Sequence, residues 1–386
     1  MTRSKKHVRA LAALIATAGL TLSACGTTDD GGDGGGGGGS DSAACDVTLA
    51  FFGPQTGPAA GLGEPIINGA QLAIDQYNED ADCEVGFDKI DSQGSPDQAP
   101  SLATEAVGND AIIGVVGPAF SGESAAAGPI FAEGGLPTIS PSATNPTLAE
   151  NGWDTFHRAL GNDATQGPAA AKYIRDTIKA KAIFVIDDAS EYGAGLAGIV
   201  QDELGDMVVD SDTIQVGQTD FSATVTKANS SKADTVFFGG YYAEAGLLVR
   251  QLREAGFKGT FVVADGVKDP GYIEAARDAA EGTIVTCPCI PAEDPAVTEF
   301  ADAYEAEFGG PPGTYAAEAY DSANIFLDGI EEGISTREDM LEFVNNYDEA
   351  GVTKQLKFDE TGEPADVHVY AYKVEGGEIV SDQEIS

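Results

Sequence analysis

The sequence predicts an α/β protein of two lobes, each formed by a mostly parallel β-sheet with helices on its faces. Short apolar segments rich in β-branched and aromatic residues alternate with helical segments along most of the chain, which is typical of parallel sheets covered by helices. About 340 residues follow residue 45. A single hydrophobic core usually serves fewer residues than this, so the length predicts two lobes. The pattern changes only after Pro312, where two helical segments precede two strands.

The predicted strands share an apolar composition. They span residues 47–52, 84–91, 111–116, 137–140, 182–187, 207–215, 235–239, 260–264 and 283–286. Helices are predicted between them because apolar residues recur there at helical spacing. In the helix predicted at 65–77, for example, Ile66 and Ala70 share one face, and the helix predicted at 244–255 ends at Gly256.

The C-terminal region is predicted to contain helices at 315–332 and 337–347 and strands at 355–359 and 367–373. The two strands resemble a hairpin. We expect them to be added to a sheet that the preceding strands have already built.

The first 24 residues have the composition of a signal peptide. Basic residues precede an apolar run, residues 10–22, that is too short to span a bilayer comfortably. Cys25 directly follows Leu-Ser-Ala, which resembles the lipobox of bacterial lipoproteins, where the cysteine is lipidated and becomes the new N-terminus. The alternative is an ordinary secretory signal with a chance cysteine. We predict a signal peptide at 1–24 and a lipid-anchored, Gly-rich linker at 25–45.

The charge balance excludes one class of partner. The chain has 63 acidic and 21 basic residues, for a net charge of −42. Such a protein repels nucleic acid and gives an anionic ligand no long-range attraction. A neutral or zwitterionic small molecule is the expected ligand.

Four cysteines remain after Cys25, and an even number in an exported protein favours disulfides. Cys45 and Cys83 precede the first and second predicted strands. Parallel neighbouring strands start side by side, so we predict that these two cysteines are bonded. Cys287 and Cys289, one proline apart, form either a local disulfide or half of a metal site. No histidine or further cysteine is near them in sequence, so the disulfide is favoured and no metal is expected.

Patterns typical of enzymes are absent or wrongly spaced. Residues 193–198 match the glycine fingerprint of dinucleotide-binding sites, but the fingerprint should follow its strand almost at once, and here residues 188–192 intervene. No Gly-x-Ser-x-Gly, His-x-x-x-His or Walker A sequence is present. His157 and His368 lie in strand-like segments and are interpreted as structural. The sequence therefore predicts neither an enzyme nor a cofactor.

Two loops instead place hydroxyl groups at the carboxyl ends of predicted strands. Ser121 follows the strand at 111–116, and Thr144 follows the strand at 137–140; each precedes a predicted helix. Helix N-termini at this edge of a parallel sheet favour anions. The alternative is that Ser121 and Thr144 only cap helices. Because both occur at successive strand ends, we favour a ligand role.

Five motifs occur in order along the chain: PSAT at 141–144, GNDATQGPAAAKYI at 161–174, EYGAGLA at 191–197, DFS at 220–222 and FGGY at 238–241. Together they resemble the branched-chain amino-acid-binding (leucine/isoleucine/valine-binding) proteins of ABC importers. The resemblance implies the type I periplasmic-binding fold, with two α/β lobes, three crossover hinge segments and a ligand between the lobes. It also implies the lobe boundaries, 46–158 plus 290–354 for the first lobe and 159–289 plus 355–386 for the second.

The resemblance assigns roles to residues at matching positions. Ser121 and Thr144 would bind a ligand carboxylate through hydroxyl and backbone N–H groups. The carbonyl of Ser142 would accept a hydrogen bond from the ligand ammonium, and Asp265 would supply its countercharge. A zwitterion needs both kinds of site because a desolvated charge left unpaired is costly.

The same resemblance implies an aromatic cleft lined by Tyr192, Tyr241 and Tyr315. Three features depart from the family pattern: Leu62 stands where close relatives have an aromatic residue, Asp265 replaces a longer glutamate, and the loop at 117–120 carries extra residues before Ser121. The departures leave the headgroup site intact and change the side-chain pocket.

We therefore expect a monomeric, lipid-anchored solute-binding protein on the outer face of the cell membrane. It would bind an amino acid, favoured as aliphatic and branched-chain, and deliver it to an ABC permease. The first alternative is the same scaffold binding an amide, urea-like or aromatic acid solute. An exported hydrolase or a surface interaction protein without a small ligand are the other classes weighed against it.

Overall fold

Apolar strands, each followed by a helix, build two sheets. The computed structural model describes residues 47–81 and 83–385. Within those residues the strands are β1 (Thr48–Gly53), β2 (Gly86–Asp91), β3 (Ile112–Val116), β4 (Thr138–Ser140), β5 (Phe156–Arg158), β6 (Ile183–Asp187), β7 (Val208–Thr213), β8 (Thr235–Gly239), β9 (Thr260–Ala264), β10 (Ile284–Cys287), β11 (Asp348–Ala350), β12 (Gln355–Lys357), β13 (Tyr370–Glu375) and β14 (Glu378–Glu384). The α-helices are α1 (Ala60–Asp80), α2 (Ala99–Val107), α3 (Ser121–Glu133), α4 (Asp163–Tyr173), α5 (Glu191–Leu204), α6 (Ser222–Ser231), α7 (Tyr242–Glu254), α8 (Pro270–Ala276), α9 (Thr298–Phe308), α10 (Ala316–Glu331) and α11 (Arg337–Asn345).

The first sheet is wholly parallel, with strand order β2-β1-β3-β4-β5. Both faces of its inner strands are buried, which explains their continuous apolar runs. In β1, Leu49 and Phe51 belong to the core beneath α1 and α10, whereas Ala50 and Phe52 belong to the core beneath α2 and α3. Helices α9, α10 and α11 pack on this sheet or on α1. We call this part the first lobe.

The second sheet has strand order β14-β13-β10-β9-β8-β6-β7. Strands β6 to β10 are parallel, and β13 and β14 extend the β10 edge in antiparallel fashion. We call this sheet and its helices the second lobe. The predicted α/β fold with two mostly parallel sheets is confirmed.

The C-terminal strands differ from the prediction. The predicted strand at 355–359 is shortened to β12, which pairs with β11 in a separate two-stranded sheet. Just after β12 the chain turns back, and Phe358 bridges Pro364. The strand that extends the second sheet is β13, and its partner is β14, which was not predicted. Gly376 and Gly377, both with positive φ, make the tight turn between them.

The two histidines also differ in their surroundings. His157 lies in β5, fully buried, with Nε2 3.0 Å from the Asn345 amide oxygen. His368 is not in a strand: it precedes β13, is exposed, and lies within ion-pair distance of Asp366 and Glu384. Its location reflects the later start of β13.

Three cysteines lie within the described residues: Cys83, Cys287 and Cys289. β1 and β2 are parallel neighbours, as predicted. Cys83 precedes β2, but Cys45 and Cys25 lie outside the described residues, so the bond between Cys45 and Cys83 stays a prediction. At the end of β10, the sulfur atoms of Cys287 and Cys289 are bonded to each other. None of the helices within the described residues has the length and apolarity needed to cross a bilayer.

The close contact of α1 with α10 depends on a glycine. A Cβ atom on Gly69 would lie 2.1 Å from the carbonyl oxygen of Ala316. We predict that Gly69→Ala lowers the free energy of unfolding by about 1–3 kcal/mol because the two helices must separate. Denaturant unfolding measures this loss.

The matched control is Gly198→Ala in α5, where the added methyl group would meet nothing within 4 Å. The control should leave stability unchanged or raise it by up to about 1 kcal/mol, because alanine favours a helix. An equal effect of both substitutions would contradict the packing argument.

Candidate functional site

The carboxyl ends of strands from both lobes converge on one small site. The loop after β3 contributes the residues just before α3, and the loop after β4 contributes Pro141–Asn145. In the second lobe, β9 is followed by a 3-10 turn, Asp265–Val267. Open α/β sheets bind ligands at this edge.

Ser121 and Thr144 are both fully buried here, and neither caps a helix. Helix α3 begins after Phe120, whose N–H donates to the Glu123 carboxylate at 2.9 Å. The short 3-10 helix after Thr144 is capped by the Asn145 side chain, which accepts from the N–H of Thr147 at 2.9 Å. The capping alternative for both hydroxyl groups is therefore wrong.

The two hydroxyl groups are placed differently. Ser121 Oγ accepts a hydrogen bond from the N–H of Asn145 at 3.2 Å, so its own proton remains available. Thr144 Oγ1 is buried with no hydrogen-bond partner of normal geometry among the described residues. Ser142 turns its hydroxyl away from the cleft, toward the carbonyl of Ala119 at 2.6 Å.

Asp265 is surrounded by hydrogen-bond donors. Its Oδ1 accepts from Gln166 Nε2 at 2.7 Å and from the Tyr192 hydroxyl at 2.8 Å, and its Oδ2 accepts from the Tyr315 hydroxyl at 2.5 Å. Burial raises the pKa of the Asp265 carboxyl, and these hydrogen bonds oppose that rise. Tyr315 belongs to the first lobe, so its bond to Asp265 spans the cleft.

A second buried carboxyl was missed by the sequence analysis. Asp163, in the first turn of α4, is fully buried, and neither carboxyl oxygen makes a hydrogen bond of normal geometry within the described part of the chain. Burial and then the charge of Asp265 raise its pKa well above the usual range. The signal was present: Asp163 and Gln166 are three residues apart at a helix start and therefore share a face. Two carboxyls so placed favour a cation between them.

The aromatic side chains form one wall. The Tyr241 ring lies with its centroid 5.3 Å from that of Tyr192 and 4.7 Å from that of Phe120. Phe120, in the loop before Ser121, was not predicted as a site residue. Tyr315 has φ of 69°, a left-handed conformation that is unfavourable for a tyrosine, and this conformation carries its hydroxyl to Asp265.

Most of the predicted residues enclose one cavity of about 10 Å³. Its lining consists of Phe120, Ser121, Ser142, Tyr192, Tyr241, Asp265, Gly266 and Tyr315. Thr144 lies behind this lining, beside Asp163, and Leu62 is buried in the core of the first lobe. A cavity of this size has room for about one water molecule, so an amino acid requires the side chains or lobes to move. A larger cavity of about 730 Å³ begins on the other side of Phe120 and Tyr241.

A model of the periplasmic binding protein family matches residues 46–378. The chain belongs to this family. The Leu/Ile/Val-binding protein of Rhizobium johnstonii is 33% identical over 348 residues, which are 88% of this chain and 94% of that relative.

Solved structures match this periplasmic binding protein over the same region. A leucine-binding protein from Thermotoga maritima matches with a TM-score of 0.82 and 27% identity, over 88% of this chain and 99% of the other. A branched-chain amino-acid transporter binding protein from Streptococcus pneumoniae was solved with isoleucine. It matches with a TM-score of 0.80 and 28% identity, over 87% of this chain and 99% of the other.

Hydrogen bonds join the lobes of this periplasmic binding protein around the site. Asn145 donates to the carbonyl of Glu191 at 2.8 Å, and the Tyr242 hydroxyl accepts from the N–H of Gly61 at 3.3 Å. Thr314 donates to the carbonyl of Lys268 at 2.5 Å. The described conformation is therefore closed. Among the described residues, no group of three or more His, Cys, Asp or Glu side chains is arranged to hold a metal ion.

Two further buried carboxyls lie near the Tyr241 hydroxyl. Glu123 accepts from the Ser92 hydroxyl and from the N–H of Phe120, and burial raises its pKa to about 7. Burial likewise raises the pKa of Asp188 to about 6. Both groups therefore hold protons in the folded protein at a pH where they release them in the unfolded chain.

We predict that the ligand-free protein loses stability as the pH rises from about 4.5 to about 7. A raised pKa in the folded state means that folding takes up a proton, so stability is complete below the unfolded pKa of Glu123 and falls until the folded value of about 7. For Glu123 alone the loss is ~3 kcal/mol. Glu123→Gln should flatten the pH dependence of the unfolding midpoint.

Glu105→Gln, an exposed position in α2, is the matched control because it changes the net charge equally. The control should keep the wild-type dependence of the unfolding midpoint on pH. If Glu123→Gln also keeps the wild-type slope, then Glu123 is not the group that takes up the proton.

Proposed function

We propose that this protein is the extracytoplasmic solute-binding component of an ABC importer. It binds an amino acid of aliphatic, branched-chain type between its lobes and delivers it to the permease. The observation that carries the proposal is the pairing of two buried carboxyls, Asp163 and Asp265, with the buried hydroxyls of Ser121 and Thr144. This arrangement is complementary to a zwitterion. The relatives that are named as binding leucine, isoleucine and valine support the choice of side chain.

The ammonium end of the ligand is assigned to the second-lobe side. Asp265 supplies a charge, and Asp163 supplies a second carboxyl whose oxygens lack partners. An ammonium group between them offsets the desolvation that raises the pKa values of Asp163 and Asp265. The carbonyl of Ser142 accepts a hydrogen bond from the remaining N–H of the ammonium. The ligand thereby stabilises the form in which both carboxyls are ionised.

The carboxylate end is assigned to the first lobe. Ser121 begins α3, a helix of 13 residues, and the first N–H groups of a helix favour an anion. The N–H of Thr144, which donates to no described residue, adds a second donor. Tyr192, Tyr241 and Tyr315 cover the ligand from the cleft side, and Leu62 shapes the core behind α1 rather than the cavity wall.

Closure gives the mechanism. The ligand binds Ser121 and Thr144 of the first lobe, and the second lobe then brings Tyr192, Tyr241 and Asp265 over it. Contacts made only in the closed form shift the equilibrium toward closure. The three places where the chain passes between lobes, near residues 159–162, 288–297 and 358–369, are the proposed hinges.

The alternative ligands fit the charges less well. The charge of Arg158 lowers the pKa of Asp163, but a neutral amide or urea-like solute would leave Asp265 without a countercharge in a buried site, which is costly. An aromatic acid would add a third negative group. A zwitterion is the class of ligand that compensates these two carboxyls.

We also propose the export and anchoring of the chain from its sequence. Residues 1–24 act as a signal peptide, Cys25 carries the lipid, and residues 25–45 tether a monomeric two-lobed body to the outer face of the membrane. The lobes comprise 46–158 plus 290–354 and 159–289 plus 355–386. Disulfides join Cys45 to Cys83 and Cys287 to Cys289.

Asp265→Ala should weaken leucine binding by two to three orders of magnitude. The substitution leaves the buried ammonium without its countercharge, a loss of roughly 3–5 kcal/mol. Asp265→Asn should recover part of the affinity because its amide oxygen still accepts a hydrogen bond. Titration calorimetry with leucine measures these losses, and 4-methylpentanoate, which has no ammonium, should show no comparable loss.

Asp234→Ala is the matched control. Asp234 accepts hydrogen bonds from backbone N–H groups at the opposite end of the second sheet, so its loss should lower stability without changing affinity. If Asp265→Ala binds leucine within about threefold of the wild type, a loss under roughly 1 kcal/mol, the ammonium site is wrong and the amide-type ligand is favoured.

Cys25→Ser tests the anchor. The variant should appear in the soluble fraction outside the cytoplasm because no acyl chains hold it on the membrane, and it should bind leucine as the wild type does. Fractionation followed by mass spectrometry of the N-terminal peptide measures both location and acylation. A variant that is still acylated and retained on the membrane would show that another residue carries the lipid.

A further inference from the structure

A buried arginine holds the loop that carries Thr144. Arg158, the last residue of β5, has a fully buried side chain. Its Nη1 donates to the carbonyl of Ala143 at 2.6 Å, and its Nη2 donates to the carbonyl of Asn145 at 3.0 Å. These two carbonyls flank Thr144 on either side.

We propose that Arg158 is a positioning residue for the ligand carboxylate, acting through Thr144; this inference rests on the proposed amino-acid binding. The peptide unit between Ala143 and Thr144 is planar and trans, so its carbonyl and its N–H point in opposite directions. When Arg158 binds the carbonyl of Ala143, the N–H of Thr144 must point away from the guanidinium. No described residue accepts a hydrogen bond from that N–H.

The neighbouring peptide units are fixed as well. The carbonyl of Thr144 accepts from the N–H of Asp163 at 2.8 Å, and the N–H of Asn145 donates to Ser121 Oγ at 3.2 Å. The carbonyl of Asn145 precedes Pro146, which has no N–H of its own, and Arg158 binds it. Thr144 is thus the position in this loop whose N–H no described residue occupies, and its hydroxyl lies beside the Asp163 carboxyl.

The charge of Arg158 is balanced by the connection between the lobes. Its Nη2 lies 3.0 Å from Glu363 Oε1, and its backbone N–H donates to the carbonyl of Gly362 at 3.0 Å. Residues 358–369 lead into β13 of the second lobe. The planar guanidinium reaches two carbonyls and a carboxylate at once, a geometry that the single nitrogen of lysine does not reproduce.

The test compares leucine with a ligand that has no carboxylate. Arg158→Lys keeps the charge and should weaken leucine binding at least about tenfold. Binding of 3-methylbutylamine, which is leucine without its carboxylate, should change less than about twofold on the same substitution, because the N–H that Arg158 orients then has no anion to bind. Titration calorimetry gives the affinities, and urea unfolding gives the stability of each variant.

Arg337→Lys is the matched control. Arg337 also donates to loop carbonyls, those of Ala106, Val107, Asn109 and Ile112, at the opposite end of β3. Arg337→Lys should lower stability about as much as Arg158→Lys does but leave the affinity for leucine within about twofold of the wild type. If Arg158→Lys does not fold, Glu363→Gln replaces it, with a smaller loss for leucine that is again absent for 3-methylbutylamine.

The outcomes separate the two proposals. If the wild type binds no amino acid, the proposed function fails. If the wild type binds leucine while Arg158→Lys binds it equally well, the positioning role is overturned and the function stands. An equal loss for leucine and for 3-methylbutylamine also overturns the positioning role, because a residue that orients a carboxylate-binding N–H should not affect a ligand without a carboxylate.

Discussion

The site depends on two carboxyl groups that are buried close together. Asp265 accepts hydrogen bonds from three side chains, whereas within the described residues the oxygens of Asp163 accept none of normal geometry. Burial raises the pKa of both groups; the charge of Asp265 adds to the rise at Asp163, and the charge of Arg158 opposes it. Burying these carboxyls in the closed form therefore costs free energy that a proton or a nearby cation offsets.

Closure does not rest on the ligand alone. Hydrogen bonds from Asn145 to Glu191, from Gly61 to Tyr242 and from Thr314 to Lys268 use backbone groups or residues outside the cavity. They stabilise the closed form whether or not a cation offsets the charge of Asp163 and Asp265. The ligand then needs to supply only the remaining difference between open and closed forms, which keeps affinity moderate and release possible.

The sequence was sufficient for the strands because parallel strands buried on both faces are continuously apolar, as β3 and β8 are. It was insufficient for β14, an exposed edge strand without an apolar run. Ser121 and Asp265 could be predicted by resemblance. Asp163 and Arg158 were missed. The spacing of Asp163 and Gln166 was a signal, but an acid at a helix start has a simpler explanation in the helix dipole. The role of Arg158 depends on how the loop at 143–145 folds back onto β5, which the sequence pattern does not show.

The headgroup site and the side-chain pocket differ in rigidity. Backbone peptide units and buried charges fix the first, whereas the Phe120 and Tyr241 rings line both the cavity of about 10 Å³ and the one of about 730 Å³. A hydrophobic pocket gains only about 1–3 kcal/mol of discrimination per methylene group. Under the proposed function, selectivity for an amino acid is therefore assigned to Asp163, Asp265 and Thr144, and the size of the side chain to the aromatic pair.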